Sequence, residues 1–119
     1  MYDINKAVTE HHRLDPYGNF LDLQPWSPKS ADRMAREEGL ELTEAHWEII
    51  FYLRERFREY GQARSAREIL RELQGRFDHA GGRRDLYTLF PRGPVSQGSR
   101  IAGLPLPPYS SDPSFGSVE

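Results

Sequence analysis

The chain reads as a mainly α-helical domain with a small N-terminal β-hairpin (α+β), and three observations predict it. Cap residues at Ser27, Thr43 and Ser65 are each followed by apolar residues at helical spacing. Gly39, Gly61 and the pair Gly81-Gly82 supply stops for those runs. Ahead of them, Leu14-Asp-Pro-Tyr-Gly-Asn-Phe-Leu21 has apolar ends around a turn-rich centre. The 119 residues allow one modest core. A compact helical domain is expected over residues 1–104, followed by a flexible C-terminal arm and extension over 105–119.

Taken in order, the hairpin is expected near residues 8–23, with strands near 8–14 and 19–23. A hairpin alone is marginal in water, so it must lean on helices. The first helix, about 28–38, starts at Ser27-Pro28 and turns Ala31, Met34 and Ala35 inward. The second, about 44–60, follows Thr43 and carries Trp47, Ile50, Leu53 and Phe57. In Ser65-Ala-Arg-Glu68 the serine and glutamate form a capping box. It opens a helix of about 66–79 with Ala66, Ile69, Leu70, Leu73 and Phe77 as its stripe. Asp85 to Phe90 suits one helical turn before Pro91. Pro94 and Gly103 bound a last short helix, about 94–102. The second and third helices form a helix-turn-helix-like pair. From Leu104 onward, prolines, serines and acids dominate, giving an extended arm.

The chain is 37% hydrophobic and 29% charged, within the range of a globular protein with a large polar surface. No apolar run approaches the ~20 residues needed to span a bilayer. The start, Met1-Tyr-Asp-Ile-Asn, lacks a secretory pattern, so a cytoplasmic protein without membrane partners is expected. The net charge of −2 conceals an asymmetry. Residues 1–50 hold ten acids against five bases, and residues 51–110 hold six acids against eleven arginines. That pattern suits either a polar partner surface or solvated helix faces with internal ion pairs.

There is no cysteine, which excludes disulfides, zinc-thiolate sites and thiol catalysis. His11 and His12 are adjacent and would diverge on a strand. His46 falls in the first turn of the second helix, where it suits a capping role, and His79 falls at a helix end. No two histidines stand at helical ligand spacing, so no metal and no cofactor is expected. No Gly-x-Ser-x-Gly elbow accompanies the serines, so serine catalysis is not expected either.

Four segments carry a family resemblance: Leu14–Leu21, Glu38-Gly-Leu-Glu-Leu-Thr-Glu-Ala-His-Trp-Glu48, Leu89-Phe-Pro-Arg-Gly-Pro94 and Ile101-Ala-Gly-Leu-Pro105. The last two, in this order and spacing, are the specific ones. The chain resembles the DsrC/TusE family of small sulfur-relay proteins, which includes the gamma subunit of dissimilatory sulfite reductase. The resemblance implies one thiol on the short helix, two residues before Ile101, and a second at the arm tip eleven residues later. Those places hold Ser99 and Ser110. A hydroxyl cannot carry sulfane sulfur or form a disulfide. Two further departures are Tyr109, where the family commonly has glycine, and Ser111–Glu119, which runs past the tip position.

The resemblance also implies a partner-binding surface of Phe90, Pro91, Arg92, Gly93, Pro94, Arg100, Gly103, Leu104 and Pro105. Arg100 stands where the family usually has lysine, so it is expected either to receive an oxyanion or to complement the helix end. The expected function is non-catalytic: a regulatory or adaptor protein binding sulfite reductase-like or sulfurtransferase-like partners. One alternative is a DNA-binding regulator of sulfur-metabolism genes, with Arg64, Arg67, Arg71, Arg83 and Arg84 as contacts to DNA or another anion. The isoelectric point near 6.1 weighs against nucleic acid. A second alternative is a relay component in transfer-RNA thiolation or sulfur oxidation.

Overall fold

The computed structural model describes residues 15, 17–21, 23–77 and 83–109, with residues 83 and 84 given by their backbone only. Five helices occur among them: α1 (Pro28–Glu37), α2 (Glu44–Tyr60), α3 (Ala66–Phe77), α4 (Arg83–Leu89) and α5 (Pro94–Ile101). None of these helices is long and apolar enough to cross a membrane.

Helix starts follow local chemistry. At α1 the Ser27 hydroxyl accepts from the Ser30 amide at 3.2 Å, and the Ser30 hydroxyl accepts from the Ser27 amide at 3.0 Å. Two otherwise orphaned amides are thereby satisfied. At α2 the Thr43 amide donates to Nδ1 of His46 at 3.0 Å. At α3 the Glu68 amide donates to Ser65 Oγ at 3.3 Å. The carboxylate of Glu68 accepts from the amide of Arg64 at 3.2 Å, one residue before the amide a capping box would use.

The expected N-terminal hairpin is corrected. Residues 8–14, its first strand, lie outside the described residues. Residues 15, 17–21 and 23 are joined by successive tight hydrogen bonds, and no strand occurs among the described residues. Amides of Gly18, Leu21 and Leu23 donate to the carbonyls of Asp15, Gly18 and Phe20 at 3.1–3.2 Å. Backbone groups spent on their own third neighbours are not free for a ladder. Side chains fix the segment to α2 instead. Asn19 Nδ2 donates to the Arg58 carbonyl at 2.6 Å, and the Phe20 ring stacks on Phe57 with centroids 6.3 Å apart.

The core centres on α5, which touches each of the other four helices. All of Pro94–Ser99 and Ile101 are buried. Small residues permit this approach: a Cβ added at Gly98 would stand 3.1 Å from Leu53 Cδ1. Around α5 lie Ile49, Ile50 and Leu53 of α2, Ile69 and Leu73 of α3, and Leu86 and Phe90 from α4 and its end. Trp26 packs edge-on against Phe51 at 5.7 Å, closing the core beside α1.

Candidate functional site

The end of α5 and the arm that leaves it form the site. The Leu104 amide donates to the Ser99 carbonyl at 2.9 Å and the Gly103 amide to the Arg100 carbonyl at 3.1 Å. This is a Schellman stop, with Gly103 in the left-handed position at φ 71°. Trp26 Nε1 donates to the Ile101 carbonyl at 2.9 Å, and Arg54 Nη1 to the Ala102 carbonyl at 2.7 Å. The last carbonyls of α5 are therefore held by distant side chains as well as by the turn.

Beyond the stop, the arm lies back on the connection between α2 and α3. Gln62 Nε2 donates to the Leu106 carbonyl at 3.1 Å, and the Ala66 amide donates to the Pro108 carbonyl at 2.9 Å. The arm thus supplies an acceptor to the first amide of α3, one of the groups a helix leaves unsatisfied. Pro107 is buried, whereas Tyr109 is 87% exposed and has φ 64°. Ser99 lies under the arm and is 3% exposed. It lines a cavity of about 20 Å³ with Leu53, Phe57, Ile69, Leu104 and Pro107. Ser110 lies outside the described residues, as do His11, His12 and His79.

The expected partner surface divides in two. Phe90, Gly93 and Pro94 are buried and shape the turn into α5 rather than meeting solvent. Pro91, Arg92 and Pro105 are exposed, and Arg100, Gly103 and Leu104 are half-buried. Arg100 is already paired: its Nη2 stands 3.2 Å from Glu38 Oε1. Gln97 Nε2 reaches the same oxygen at 2.9 Å, and Gln97 Oε1 accepts from the Arg92 amide at 3.1 Å. The cation beside Ser99 is thus engaged by the cap residue at the end of α1, and a free oxyanion would have to compete with Glu38.

Arg64, in the connection before α3, and Arg67 and Arg71, on α3, are exposed. Arg83 and Arg84 begin α4. Between α2 and α3 lies a groove of about 720 Å³ that Arg64 and Arg71 line together with Glu68 and Glu72. Glu72 grips Arg56 at 2.7 Å and accepts from the Tyr52 hydroxyl at 2.6 Å. Burial pushes the Tyr52 hydroxyl up to about 12, with Glu72 adding to the effect. Burial also acts to raise Glu72, but its bonds from Arg56 and Tyr52 prevail and hold it below the usual range. Among the described residues, no cluster of histidines and carboxylates can hold a metal ion.

Sequence reasoning passed over Arg54 and Trp26. Arg54 is 6% exposed, its guanidinium 4.2 Å from the Trp26 ring and 4.6 Å from the Phe20 ring. Burial lowers its pKa to about 10, which leaves it charged at neutral pH. Its position was a signal: Arg54 stands four residues after Ile50 and seven after Trp47, on the apolar face of α2.

Residues 6–109 match the family described as DsrC like protein. A protein named sulfurtransferase TusE from Pectobacterium atrosepticum is 36% identical over 94 residues, covering 78% of this chain and 86% of that protein. A sulfurtransferase TusE homolog from Haemophilus influenzae is 36% identical over 108 residues, covering 90% of this chain and 96% of that one. The NMR structure of Allochromatium vinosum DsrC superposes with a TM-score of 0.62 at 40% identity, covering 76% of this chain and 81% of that one. With its stop after α5, its returning arm and serine at the helix position, the chain belongs to the DsrC/TusE family of sulfur-relay proteins.

Proposed function

We propose that this protein is a non-catalytic regulatory or adaptor member of the sulfur-relay family. It binds proteins of sulfur metabolism, sulfite reductase-like or sulfurtransferase-like, without carrying sulfur itself. The observation that carries this reading is Ser99, buried under the arm on α5 in a chain with no cysteine. Serine preserves the packing at that position but provides no soft nucleophile, so persulfide formation and disulfide exchange are both closed. What persists is the shape: the Schellman stop, the clamps on Ile101 and Ala102, and the exposed Pro91, Arg92 and Pro105.

The test is competition in a reconstituted sulfur transfer. The purified protein is added to a persulfide donor and a cysteine-bearing member of the family, and both family members are weighed by intact-protein mass spectrometry. The expected result is reduced transfer to the cysteine-bearing member, with no mass gain of one sulfur atom on this chain. A sulfur adduct on this chain would overturn the non-carrier reading. Undiminished transfer at large excess would overturn the adaptor reading. DNA recognition by α3 receives little support, because the isoelectric point near 6.1 lies below the basic range of nucleic-acid-binding domains.

A further inference from the structure

The groove between α2 and α3 carries unbalanced positive charge. Both of its carboxylates are committed: Glu72 to Arg56 and Tyr52, and Glu68 to Arg56 at 3.4 Å. Arg64, Arg71 and Arg76 line the same groove and make no ion pair among the described residues. Aromatic surface accompanies the charge. Tyr60 is 71% exposed, and the Tyr52 ring lies 4.8 Å from the Arg76 guanidinium.

The arm delivers the chain to this groove. Gln62 and Arg64 line it, and Gln62 binds the Leu106 carbonyl while the neighbouring Ala66 amide binds Pro108. Tyr109 is therefore placed at the Arg64 end. The residues that follow are Ser110-Ser-Asp-Pro-Ser-Phe-Gly-Ser-Val-Glu119, with Asp112 and Glu119 as acids, Phe115 as the aromatic ring and no basic residue.

We propose that residues 110–119 of this chain dock in the arginine groove, with Asp112 and Glu119 meeting Arg64, Arg71 and Arg76, and Phe115 meeting the tyrosines. The reach suffices. At ~3.3 Å per extended residue, Asp112 extends ~10 Å from Tyr109 and Glu119 ~33 Å. Arg64 to Arg76 spans only ~18 Å at ~1.5 Å per helical residue. Exposed ion pairs are individually weak and screened by salt. The tether compensates by giving the segment a high effective concentration at the groove. This inference concerns a face of the molecule separate from the Pro91–Pro105 surface and does not depend on the adaptor reading.

The absence of cysteine makes a direct test available. The full chain with Ser117→Cys carries a nitroxide at that one thiol, and amide signals are compared with those of the reduced label. Broadening is expected at Arg64, Arg71 and Gly75 but not at Lys29 or Arg33 on α1. It should diminish in high salt, in the Asp112→Asn/Glu119→Gln chain and in the Arg71→Gln/Arg76→Gln chain. The latter two arginines are exposed, so their loss leaves the core intact. Broadening that is absent, centred on α1, or indifferent to salt and to both charge variants would overturn the proposal. In that event an acidic segment of another protein becomes the occupant to seek.

Discussion

Arg54 Nη1 donates to the Ala102 carbonyl at 2.7 Å, so the middle of α2 holds the residue that caps the end of α5. The cation lies close to two rings and has no carboxylate partner among the described residues. Desolvation is offset by ring quadrupoles and one charge-assisted bond, and Arg54 Nε has no partner among the described residues. The benefit is directional: Arg54 and Trp26 together fix where the arm leaves.

Replacing Arg54 tests that arrangement. Arg54→Ala removes the bond, leaves the rings facing a void and is expected to cost ~2–4 kcal/mol in urea unfolding. Arg54→Lys keeps the charge but loses the planar fork, so it should rescue only part of the loss.

Gly103 and Gly39 form a matched pair. Both have positive φ, 71° and 79°, yet a Cβ at Gly103 would stand 2.6 Å from Trp26 Cδ1 and one at Gly39 would meet nothing within 4 Å. Gly39→Ala should therefore cost only the ~1–2 kcal/mol of left-handed strain. Gly103→Ala should cost clearly more, because the Trp26 ring must also move off the Ile101 carbonyl. Equal losses in chemical denaturation would show that the Trp26 contact is immaterial.

Ser99→Cys puts a thiol at the buried helix position. With 3% exposure beneath the arm, it should react with a maleimide at least ~10-fold more slowly than a thiol placed at exposed Glu59, since labelling requires local opening. Shortening the chain after Gly103 should abolish most of that difference. Similar rates before and after shortening would mean that the arm does not cover the site.

His46 predicts a pH dependence. Burial lowers its pKa below 6.5, while the bond between Nε2 and the Leu89 carbonyl at 2.7 Å opposes the shift. The neutral ring accepts from the Thr43 amide at Nδ1 and donates from Nε2 to Leu89. The unfolded chain binds the proton more readily, so stability is full above about 6.5 and falls as pH drops from there toward the folded pKa. Urea midpoints measured from about pH 7.5 to about pH 5, a range that brackets the free imidazole, should show this fall. His46→Gln should flatten it while lowering stability throughout.

Much of the helical plan was legible from residue type. Ser27 and Ser65 act as caps through their own hydroxyls, and Gly39, Gly61 and Gly103 adopt the positive φ that ends a helix. Ala66, Ile69, Leu70 and Leu73 are buried together because 3.6-residue spacing aligns them. The hairpin was misread because Pro16, Gly18 and Asn19 signal a turn without stating what flanks it. Whether a ladder or further turns follow depends on α2, which takes Asn19 and Phe20 for itself. Arg100 was legible as a cation near Ser99, but its engagement by Glu38, 62 residues away, was not.

The sequence by itself determined the family, the starts of α1, α2, α3 and α5, the glycine stops at Gly39, Gly61 and Gly103, and the lack of any thiol, whereas the expected stop at Gly81-Gly82 lies outside the described residues. Those are properties of residue identity and short-range spacing. Only the tertiary structure decided that α5, whose Ser96, Gln97 and Ser99 look polar, is the centre of the core. It also placed the arm back on α3 and set a charged arginine among aromatic rings. The reason is physical: burial of a polar helix depends on partners distant in the chain that satisfy its hydrogen bonds, and local pattern carries no record of them.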